Sequence, residues 1–410
     1  MERENSLIVS LDIGTYKTAV VVAEPSLEGI EVLGVGMALS QGLKKGQVLN
    51  VEATVPAIRK AIEEAEVGAS CEIHNVCLGL TGGFGEGFNS QGVVPVKDQE
   101  VTGVDVAQVI DVARAIALPP DREILHVMPQ EFIVDGQSRG RDPVGAAGVR
   151  LEADVHIITA TTTATQTLLR CCERAHLQVR SLSLAVLAAA EAVLSPEEKE
   201  LGVVLLDIGA GTTGVVAFSR GVVLHTALLP IGGDHITNDL AAGLRTPRAE
   251  TEKLKQRHGC ALIDLLTPGE MIEMPRVGGR DPAPVLRRRL SEIIELRVKE
   301  IFDLVREQLE TAGLLDKLGS GVVLTGGGAI MTGMPELAER VFRLPVRRGR
   351  PLHLTGLVDE VNGPMYATGV GLVLRERQQT YLNGAGRTHS APHGWQRMRN
   401  RVVEWIRDFF

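Results

Sequence analysis

The sequence predicts an α/β protein made of two similar halves, and three observations support this. A strand–turn–strand element occurs twice, first as "SLIVSLDIGTYKTAVVVAE" and again as "LGVVLLDIGAGTTGVVAFS". The LDIG motifs begin at Leu11 and Leu206, an offset of 206 − 11 = 195 residues in a chain of 410. Strand patterns alternate with amphipathic helix patterns in both halves, which indicates a sheet covered by helices on its faces. The duplicated element therefore predicts two related domains.

The first half contains a hairpin, a helix, a strand and an insertion. The apolar runs on either side of Asp12 are short, rich in Val and Ile and bounded by turn residues, as expected for buried strands. "VLNVEATVPAIRKAIEEAEVG" has apolar residues at steps of three and four, which predicts a helix, and "CEIHNVCLGLTG" predicts a strand. The next segment, "TGGFGEGFNSQGVVPVKDQEVTG", is Gly-rich and irregular. Because this half is otherwise too long to match the repeat, we assign residues 83–157 to an inserted subdomain.

The second half contains a long helix and a glycine turn, and a polar segment follows it. "APVLRRRLSEIIELRVKEIFDLVREQLETAG" predicts the long helix, and "SGVVLTGGGAIMTGMPEL" predicts a strand, a glycine turn and a helix. "QQTYLNGAGRTHSAPHG" is polar and rich in Gly, which is typical of a flexible linker. We place this linker at residues 378–393, before a final segment at 394–410.

Composition and charge argue against several classes of protein. A formal net charge of −8 disfavours broad nucleic-acid binding, so we expect no nucleic-acid partner. No stretch of eighteen apolar residues occurs, and Asp12 interrupts the first apolar run too early for a signal peptide. The five cysteines lack C-x-x-C spacing and support neither a zinc site nor a disulfide framework, which fits a reducing cytoplasm best.

The two LDIG turns suit phosphate and magnesium. Gly at each turn lets backbone N–H groups approach an anion, and Lys17 can place a cation on a phosphate oxygen. Asp12 and Asp207 are the carboxylates that Mg²⁺ prefers alongside retained waters. A single D-x-G also marks ordinary turns, so the prediction depends on two copies and a TGGG motif in one chain, with no P-loop pattern present. Three threonines add hydroxyl donors: Thr15, Thr212 and Thr213.

These motifs resemble those of the actin-like ATPase superfamily. "LDIGTYKT" at 11–18 is similar to its first phosphate motif, "LDIGAGTT" at 206–213 to its second, and "LTGGGAIM" at 324–331 to its adenosine motif. "LAVLAAAEAVL" and "MYATGVGLVL" occupy the places of the two helices that connect the halves. The resemblance implies an actin-like duplicated ATPase fold of two domains, each with two subdomains, that binds ATP and Mg²⁺ between them.

The same resemblance implies roles for individual residues. "AETEKLKQRHG" is similar to the helix whose Glu and Lys contact the nucleoside, and "GGDHIT" opens that subdomain. Asp12 and Asp207 become the candidate catalytic groups and would hold Mg²⁺ through water. The implied nucleotide-binding residues are Gly14, Thr15, Tyr16, Lys17, Gly209, Gly211, Thr212, Thr213, Gly232, Gly233, Glu252, Lys255, Gly326, Gly327 and Gly328.

Further stretches resemble the FtsA family of bacterial cell-division proteins. "LHVMPQEFIVDGQSRGRDPVGAAGVRLEADVHIIT" is similar to that family's inserted subdomain, called 1C. "KQRHGCALIDLL" and "VGGRDP" resemble the segment before its partner-binding helix, and "GWQRMRNRVVEWIRDFF" resembles its membrane-targeting sequence. The implied limits are 1–82 and 158–200 for subdomain 1A, 83–157 for 1C, 201–231 and 313–377 for 2A, and 232–312 for 2B.

The family resemblance implies several partners and a location. Subdomain 2B would hold the C-terminal tail of the tubulin-like division protein FtsZ, with Arg297 the better match to that contact and Arg280 the weaker one. Other copies of the chain would form filaments, and other division proteins would bind subdomain 1C. The run "RRR" at 287–289 is either a solvated helix face or a second binding feature. The implied location is peripheral, on the cytoplasmic side of the inner membrane at the division septum.

The final segment also reads as a membrane-surface helix on physical grounds. One face carries apolar residues at steps of three and four: Trp395, Met398, Val402, Trp405 or Ile406, and Phe409. The opposite face carries four arginines and two acids, a local charge of 4 − 2 = +2, from Arg397, Arg399, Arg401, Arg407, Glu404 and Asp408. Such a helix lies in the interface of an anionic membrane. The alternative is a helix docked on the protein itself or in a partner groove, although the linker favours contact outside the fold.

One departure concerns hydrolysis. Relatives in the superfamily often have a Glu or Gln on the first connecting helix that orients the attacking water, but Ala185 and Val186 stand here and Glu191 lies further along. With Asp207 the remaining candidate, we expect at most a weak ATPase. The favoured function is a nucleotide-dependent scaffold that tethers FtsZ filaments to the membrane. The alternatives are a small-molecule kinase of the same superfamily and an actin-like adaptor of pilus assembly.

Overall fold

Each half of the chain is built around one β-sheet, and the two sheets have similar strand arrangements. The computed structural model describes residues 7–26, 29–83, 87–274 and 282–385, of which 380–385 are described by backbone alone. The first sheet has the order β11 (Gln178–Leu184), β6 (Asn75–Leu80), β1 (Ile8–Ile13), β2 (Lys17–Pro25), β3 (Ile30–Leu39), β19 (Leu354–Gly356). The second has the order β14 (Val222–Leu229), β13 (Thr213–Ser219), β12 (Val203–Ile208), β17 (Val322–Thr325), β18 (Val346–Arg348).

The strand pairing confirms the predicted duplication. In each half an antiparallel hairpin, β1–β2 or β12–β13, pairs with one parallel strand, β6 or β17. Asp12 is paired with Gly79 on β6, and Asp207 occupies the equivalent place beside Thr325 on β17. The hairpin strands are almost wholly buried, which explains their continuous Val, Ile and Leu content. Each aspartate therefore stands at the end of a central strand, where the two halves face each other.

Helices cover both sheets, and short hairpins complete the fold. Asn50 caps α1 by accepting a hydrogen bond from the backbone N–H of Ala53, and the apolar face predicted for this helix is buried. The α-helices are α1 (Val51–Ala69), α2 (Gly103–Arg114), α3 (Thr162–Arg174), α4 (Ala185–Val193), α5 (Pro196–Leu201), α6 (Gly233–Leu244), α7 (Arg248–His258), α8 (Arg287–Thr311), α9 (Met334–Phe342), α10 (Val358–Val361) and α11 (Ala367–Ala385). The small hairpins are β4 (Leu43–Lys44) with β5 (Gln47–Val48), and β15 (Met271–Met274) with β16 (Ala283–Leu286).

The inserted segment has a sheet and a core of its own. Its strand order is β7 (Phe88–Pro95), β10 (Arg150–Thr161), β8 (Arg122–Val134), β9 (Gln137–Gly140), and α2 packs on this sheet. The irregular conformation expected for the Gly-rich stretch is wrong for residues 88–95, which form β7 and pair with residues 150–157 of β10. Gly92 is required there because a Cβ would overlap the Val109 carbonyl of α2. This glycine marks a close helix–strand approach, not a turn.

The inserted segment also docks on β14, the edge strand of the second sheet. Its Gly87 N–H donates to the Thr226 carbonyl at 2.8 Å, and the Gln130 amide donates to the Val223 carbonyl at 2.7 Å. The buried His156 ring lies between Asn89 Oδ1, at 2.7 Å from Nδ1, and Thr226 Oγ1, at 2.9 Å from Nε2. Because an amide oxygen only accepts, Nδ1 carries the proton and Nε2 accepts from the Thr226 hydroxyl. The insertion therefore joins the first half to the second.

Helices α4 and α11 form the main connection between the halves. They cross so closely that a Cβ on Gly371 would overlap the Ala188 carbonyl, which explains the small residues in both helices. Helix α11 runs to Ala385, so residues 378–385, predicted as the start of a flexible linker, are helical. The stretch "RERQQTYLN" at 375–383 consists largely of residues that are compatible with a helix once α11 has been nucleated. The rest of the predicted linker and the segment 394–410 lie outside the described residues.

Among the described helices, none combines the length and the apolar content needed to cross a bilayer.

A matched pair of glycine substitutions tests the docking of the insertion. A Cβ at Gly87 would overlap the His156 ring and the Thr226 hydroxyl, whereas a Cβ at Gly103 would meet nothing within 4 Å. We expect Gly87→Ala to lower the free energy of unfolding by about 1–3 kcal/mol, measured by urea denaturation. Gly103→Ala, at the first position of α2, should leave it unchanged or slightly higher. Equal effects of the two substitutions would contradict the docked arrangement.

Candidate functional site

A cleft between the two hairpins is lined from both halves of the chain. It encloses about 540 Å³. Fifteen of the residues expected there from the sequence line it: Asp12, Gly14, Thr15, Tyr16, Lys17, Asp207, Gly209, Gly211, Thr212, Gly233, Glu252, Lys255, Gly326, Gly327 and Gly328. Both phosphate-type turns, the nucleoside-type helix and the TGGG turn therefore meet in one cavity.

The two hairpin turns have matching geometry and lie against each other. The Gly14 N–H donates to the Lys17 carbonyl at 2.9 Å, and the Gly209 N–H donates to the Thr212 carbonyl at 2.9 Å. A Cβ on Gly211 would come within 2.5 Å of Thr15 Oγ1, so the close approach of the turns requires glycine. The two turns, one from each half, are thus brought to the same end of the cleft.

Two of the expected residues lie beside the cavity and not in its lining. The buried Thr213 hydroxyl donates to the Ile231 carbonyl at 2.8 Å, because the residue has already entered β13 and its side chain faces the segment after β14. Gly232 precedes α6, and its N–H donates to His235 Nδ1 at 3.1 Å. Both residues hold the second turn against α6. The structure therefore gives Thr213 a structural contact in place of the predicted contact with phosphate.

Three ionisable groups are buried together at the floor of the cleft. Burial raises the pKa of Asp12 and raises the pKa of Asp207 to about 6, with the neighbouring Asp12 charge adding to the second shift. Burial lowers the pKa of Lys17, and the two carboxylates oppose that shift. Lys17 Nζ has no hydrogen-bond partner within the described part of the chain. Its ammonium group lies 4.6 Å from the centroid of the Tyr366 ring.

The other end of the cleft is built by α7 and the TGGG turn. Lys255 Nζ lies 2.8 Å from Glu252 Oε2 and donates to the Gly233 carbonyl at 3.0 Å, which fixes both side chains at the start of α6. Gly326 has φ +82°, and a Cβ there would come within 2.4 Å of Asp207, so only glycine suits this position. Gly327 faces open space.

Several lining residues were missed by the sequence prediction. Thr81 follows β6, the parallel neighbour of β1, and Thr368 donates a hydrogen bond to Asp207 Oδ2 at 3.4 Å. Gln256 donates to the Tyr16 hydroxyl at 3.2 Å and so joins the halves across the cleft. The position of Thr81 at the carboxyl end of a parallel strand was a usable signal. The others have no local signal, because they reach the cleft through tertiary packing.

The donor set fits magnesium held together with a phosphate ligand. Among the described residues, no group of three His, Cys, Asp or Glu side chains forms a metal site by itself. Asp12 and Asp207 are two buried carboxylates that line the cleft, and glycine turns lie beside them. Magnesium commonly takes one or two carboxylates and completes its shell with water and phosphate oxygens. The residues present therefore suit a Mg²⁺–phosphate pair better than a bare metal ion.

Comparison with known proteins decides the family. The model of "Cell division protein FtsA" matches residues 204–371, and that of "SHS2 domain inserted in FTSA" matches residues 82–159. Cell division protein FtsA of Pseudomonas aeruginosa is 42% identical over 413 residues, covering 100% of this chain and 99% of the relative. The protein from Neisseria meningitidis is 43% identical with 100% of both chains covered, and that from Escherichia coli K12 is 38% identical with 99% of both covered. This chain belongs to the FtsA family.

Solved structures support the actin-like fold of this FtsA-family chain. The PilM–PilN type IV pilus biogenesis complex matches with a TM-score of 0.64 at 17% identity, covering 90% of this chain and 98% of that one. MreB5 of Spiroplasma citri bound to AMPPNP matches with a TM-score of 0.55 at 15% identity, covering 93% and 98%. At these identities the likeness concerns the fold alone. The predicted α/β actin-like fold with an FtsA-type insertion is confirmed.

The expected partner-binding and membrane residues are only partly described. Arg297 lies on α8 and makes two hydrogen bonds to Asp239, with Nη2 at 3.0 Å from Oδ1, besides an ion pair with Glu300. Arg280 lies outside the described residues, as do the membrane candidates in 394–410. Of the run 287–289, Arg287 binds Glu270 and the His258 carbonyl and also lines the cleft. That arginine is therefore held within the protein, whereas Arg288 and Arg289 are exposed.

The departure on the first connecting helix is visible in the FtsA-family structure. Ala185 and Val186 are buried among apolar residues of α4, and a Cβ on Gly214 would press against Val186. Glu191 Oε2 pairs with Lys199 Nζ at 2.8 Å, away from the residues that line the cleft. None of these three side chains offers a base to water in the cavity.

The raised pKa of Asp207 predicts a pH-dependent difference in stability. Between pH 4 and pH 6 the folded chain keeps a proton that the unfolded chain has lost, so this group's stabilising contribution falls as pH rises. From pH 4 to pH 7, with EDTA and without nucleotide, the free energy of unfolding of the unmodified chain should fall relative to Asp207→Asn by on the order of 3 kcal/mol. Urea denaturation at several pH values measures this difference. A difference that stays constant with pH would contradict the assignment.

Proposed function

We propose that this FtsA-family chain is an ATP-dependent scaffold that ties FtsZ filaments to the membrane. The observation that carries the proposal is the convergence of Lys17, Asp12 and Asp207 between glycine turns from both halves. In this proposal ATP and Mg²⁺ bind in the cleft, Lys17 and the backbone N–H groups bind phosphate oxygens, and Asp12 and Asp207 hold the metal through water. The magnesium ion supplies charge neutralisation of the phosphates. The supporting fold neighbour MreB5 of Spiroplasma citri was solved with ADP and with AMPPNP.

Hydrolysis is proposed to be slow. With no acid on α4 in the cleft, Asp207 is together with Asp12 a candidate acid or base, and its raised pKa leaves part of the population protonated near pH 6. Water in the cleft has no counterpart of an orienting glutamate on α4, because Glu191 is paired with Lys199. A bound ATP would therefore persist and keep the two halves closed around it. This property suits a protein whose ATP-bound form is the working form.

The membrane and FtsZ contacts complete the proposal. Residues 394–410 combine an apolar stripe with a local charge of +2, which favours the surface of an anionic bilayer. The FtsZ tail is proposed to bind subdomain 2B near Arg297 and Arg280, and the insertion to bind other division proteins. Copies of the chain would assemble head to tail, on the cytoplasmic side of the inner membrane at the septum. The subdomain limits given from the sequence belong to the same proposal.

The alternatives receive no support from the family comparison. All the relatives described above are cell-division proteins over the full length of the chain. The likeness to the PilM–PilN complex concerns the fold alone. A rapid ATP turnover that depends on a sugar or another hydroxyl acceptor would revive the kinase alternative.

Nucleotide binding is tested with a matched pair of lysine substitutions. Lys17→Met removes the buried ammonium group in the cleft, and Lys253→Met removes an exposed one on α7 that pairs with Glu250. We expect Lys17→Met to raise the Kd for Mg·ATP by about tenfold to a hundredfold, because a charge-assisted contact is lost, while adenosine binding is kept. Lys253→Met should bind both ligands normally. Calorimetric titration gives these constants, and unchanged ATP binding by Lys17→Met would contradict the phosphate role.

The membrane tether is tested with two neighbouring valines. Val402 lies on the apolar stripe of the final segment, and Val403 lies off it. In co-sedimentation with vesicles containing phosphatidylglycerol, the chain lacking residues 394–410 and Val402→Asp should both lose membrane binding and the ability to bring FtsZ down. Val403→Asp should retain much more of both, because its charge faces water. If the truncated and intact chains sediment equally with these vesicles, the tether proposal fails.

A further inference from the structure

One short segment touches the site at three points. The segment Pro364–Thr368 leads into α11, and its Pro364 carbonyl accepts a hydrogen bond from the Gly326 N–H at 3.1 Å. The Tyr366 ring lies under the Lys17 ammonium group, and the Thr368 hydroxyl donates to Asp207. The same five residues therefore contact the TGGG turn, the phosphate-turn lysine and one carboxylate. No sequence motif indicated this arrangement in advance.

The contact between Lys17 and Tyr366 is the most informative of the three. Lys17 Nζ is fully buried, points into the cleft, and has no hydrogen-bond partner in the described part of the chain. Its nitrogen lies 4.6 Å from the ring centroid, within the range of a cation–π interaction. A buried cation without a hydrogen-bond partner needs other sources of stabilisation, and the charges of Asp12 and Asp207 supply part of it. The ring face adds to this without using any of the three N–H donors.

The ring is itself held in place from both sides. The Tyr366 N–H donates to the Gly363 carbonyl at 3.0 Å, which fixes the backbone turn before α11. The half-buried side chain reaches Met37 on β3, with its hydroxyl 3.9 Å from the Met37 sulfur. These contacts place the aromatic face beside the lysine.

We propose that Tyr366 is a positioning residue for the phosphate-binding lysine. Its ring holds the Lys17 ammonium group inside the cleft, with the donors directed at the space a phosphate would occupy. A free lysine loses considerable side-chain freedom when it is fixed by a ligand, and positioning in advance removes that cost from binding. This inference rests on the proposed binding of a nucleotide in the cleft. It adds a residue from the turn before α11 to the phosphate site.

The test compares three ligands and two replacements of the ring. Tyr366→Phe keeps the aromatic face and loses only the hydroxyl contact with Met37, whereas Tyr366→Leu removes the face. We expect Tyr366→Leu to raise the Kd for Mg·ATP by about threefold to thirtyfold, and Tyr366→Phe to stay within about twofold. Adenosine, which has no phosphate for Lys17, should bind all variants alike. Calorimetric titration with adenosine, Mg·ADP and Mg·ATP provides the comparison.

A double-mutant cycle separates positioning from a merely structural role. In the Lys17→Met background, Tyr366→Leu should cause no further loss of ATP affinity, because the group it positions is absent. If Tyr366→Leu lowers ATP affinity equally in both backgrounds, or lowers adenosine affinity as much as ATP affinity, the positioning role is overturned. The proposal that the cleft binds ATP would still stand.

The same double-mutant cycle is also measured on urea unfolding of the nucleotide-free protein. This second measurement distinguishes failure of the proposed ATP binding from failure of the positioning role alone. If the unmodified chain binds neither Mg·ATP nor Mg·ADP, the proposed function and the positioning role both fail. Coupling between Lys17 and Tyr366 in unfolding would then show that their contact exists and serves stability alone. If ATP binds but no coupling appears in either measurement, only the positioning role is overturned.

Discussion

The structure depends on burying two carboxylates and one ammonium group where the two β-hairpins meet. Asp12 and Asp207 both lie at the ends of central strands, so the duplicated fold itself brings them to the same place. Lys17 supplies one positive charge for two negative ones, and burial shifts the pKa of all three groups toward the uncharged form. Such a cluster is costly without a ligand. A bound Mg²⁺ would add positive charge and water donors for the two carboxylates, and a phosphate would add acceptors for Lys17, which supports the proposal of a nucleotide site.

The rest of the fold controls how the two hairpins face each other. Helices α4 and α11 cross at Gly371 and Ala188 with almost no space between their backbones. The inserted segment adds a second connection by docking on β14. That strand continues through Ile231 into the start of α6, where the Gly233 N–H donates to the Gly209 carbonyl of the phosphate-type turn at 3.0 Å. Strand β14 thus connects the surface where the insertion docks with the turn at the cleft.

Local sequence was enough to predict the parts of the site that lie within single motifs. The two Asp-Ile-Gly hairpins and the TGGG turn carry their own glycine and strand signals, and all of them reach the cleft. Thr213 was expected to face the ligand, but the direction of its side chain depends on the strand register and is not visible in a motif. Tyr366 and Thr368 were missed because they reach Lys17 and Asp207 only through tertiary packing, which no local motif records. The strand β7 was not predicted because its Gly92, which allows the close approach of α2, made the stretch look irregular.

The central claim is that the buried trio is the phosphate end of a nucleotide site. A crystal structure of the chain with Mg²⁺ and a non-hydrolysable ATP analogue tests it most directly. The account predicts phosphate density between the turns at Gly14 and Gly209, with Lys17 Nζ in hydrogen-bond contact with a phosphate oxygen. It also predicts a metal ion whose water ligands contact Asp12 and Asp207. A nucleotide bound elsewhere, or bound in the cleft with its phosphates directed away from these three residues, would contradict the account.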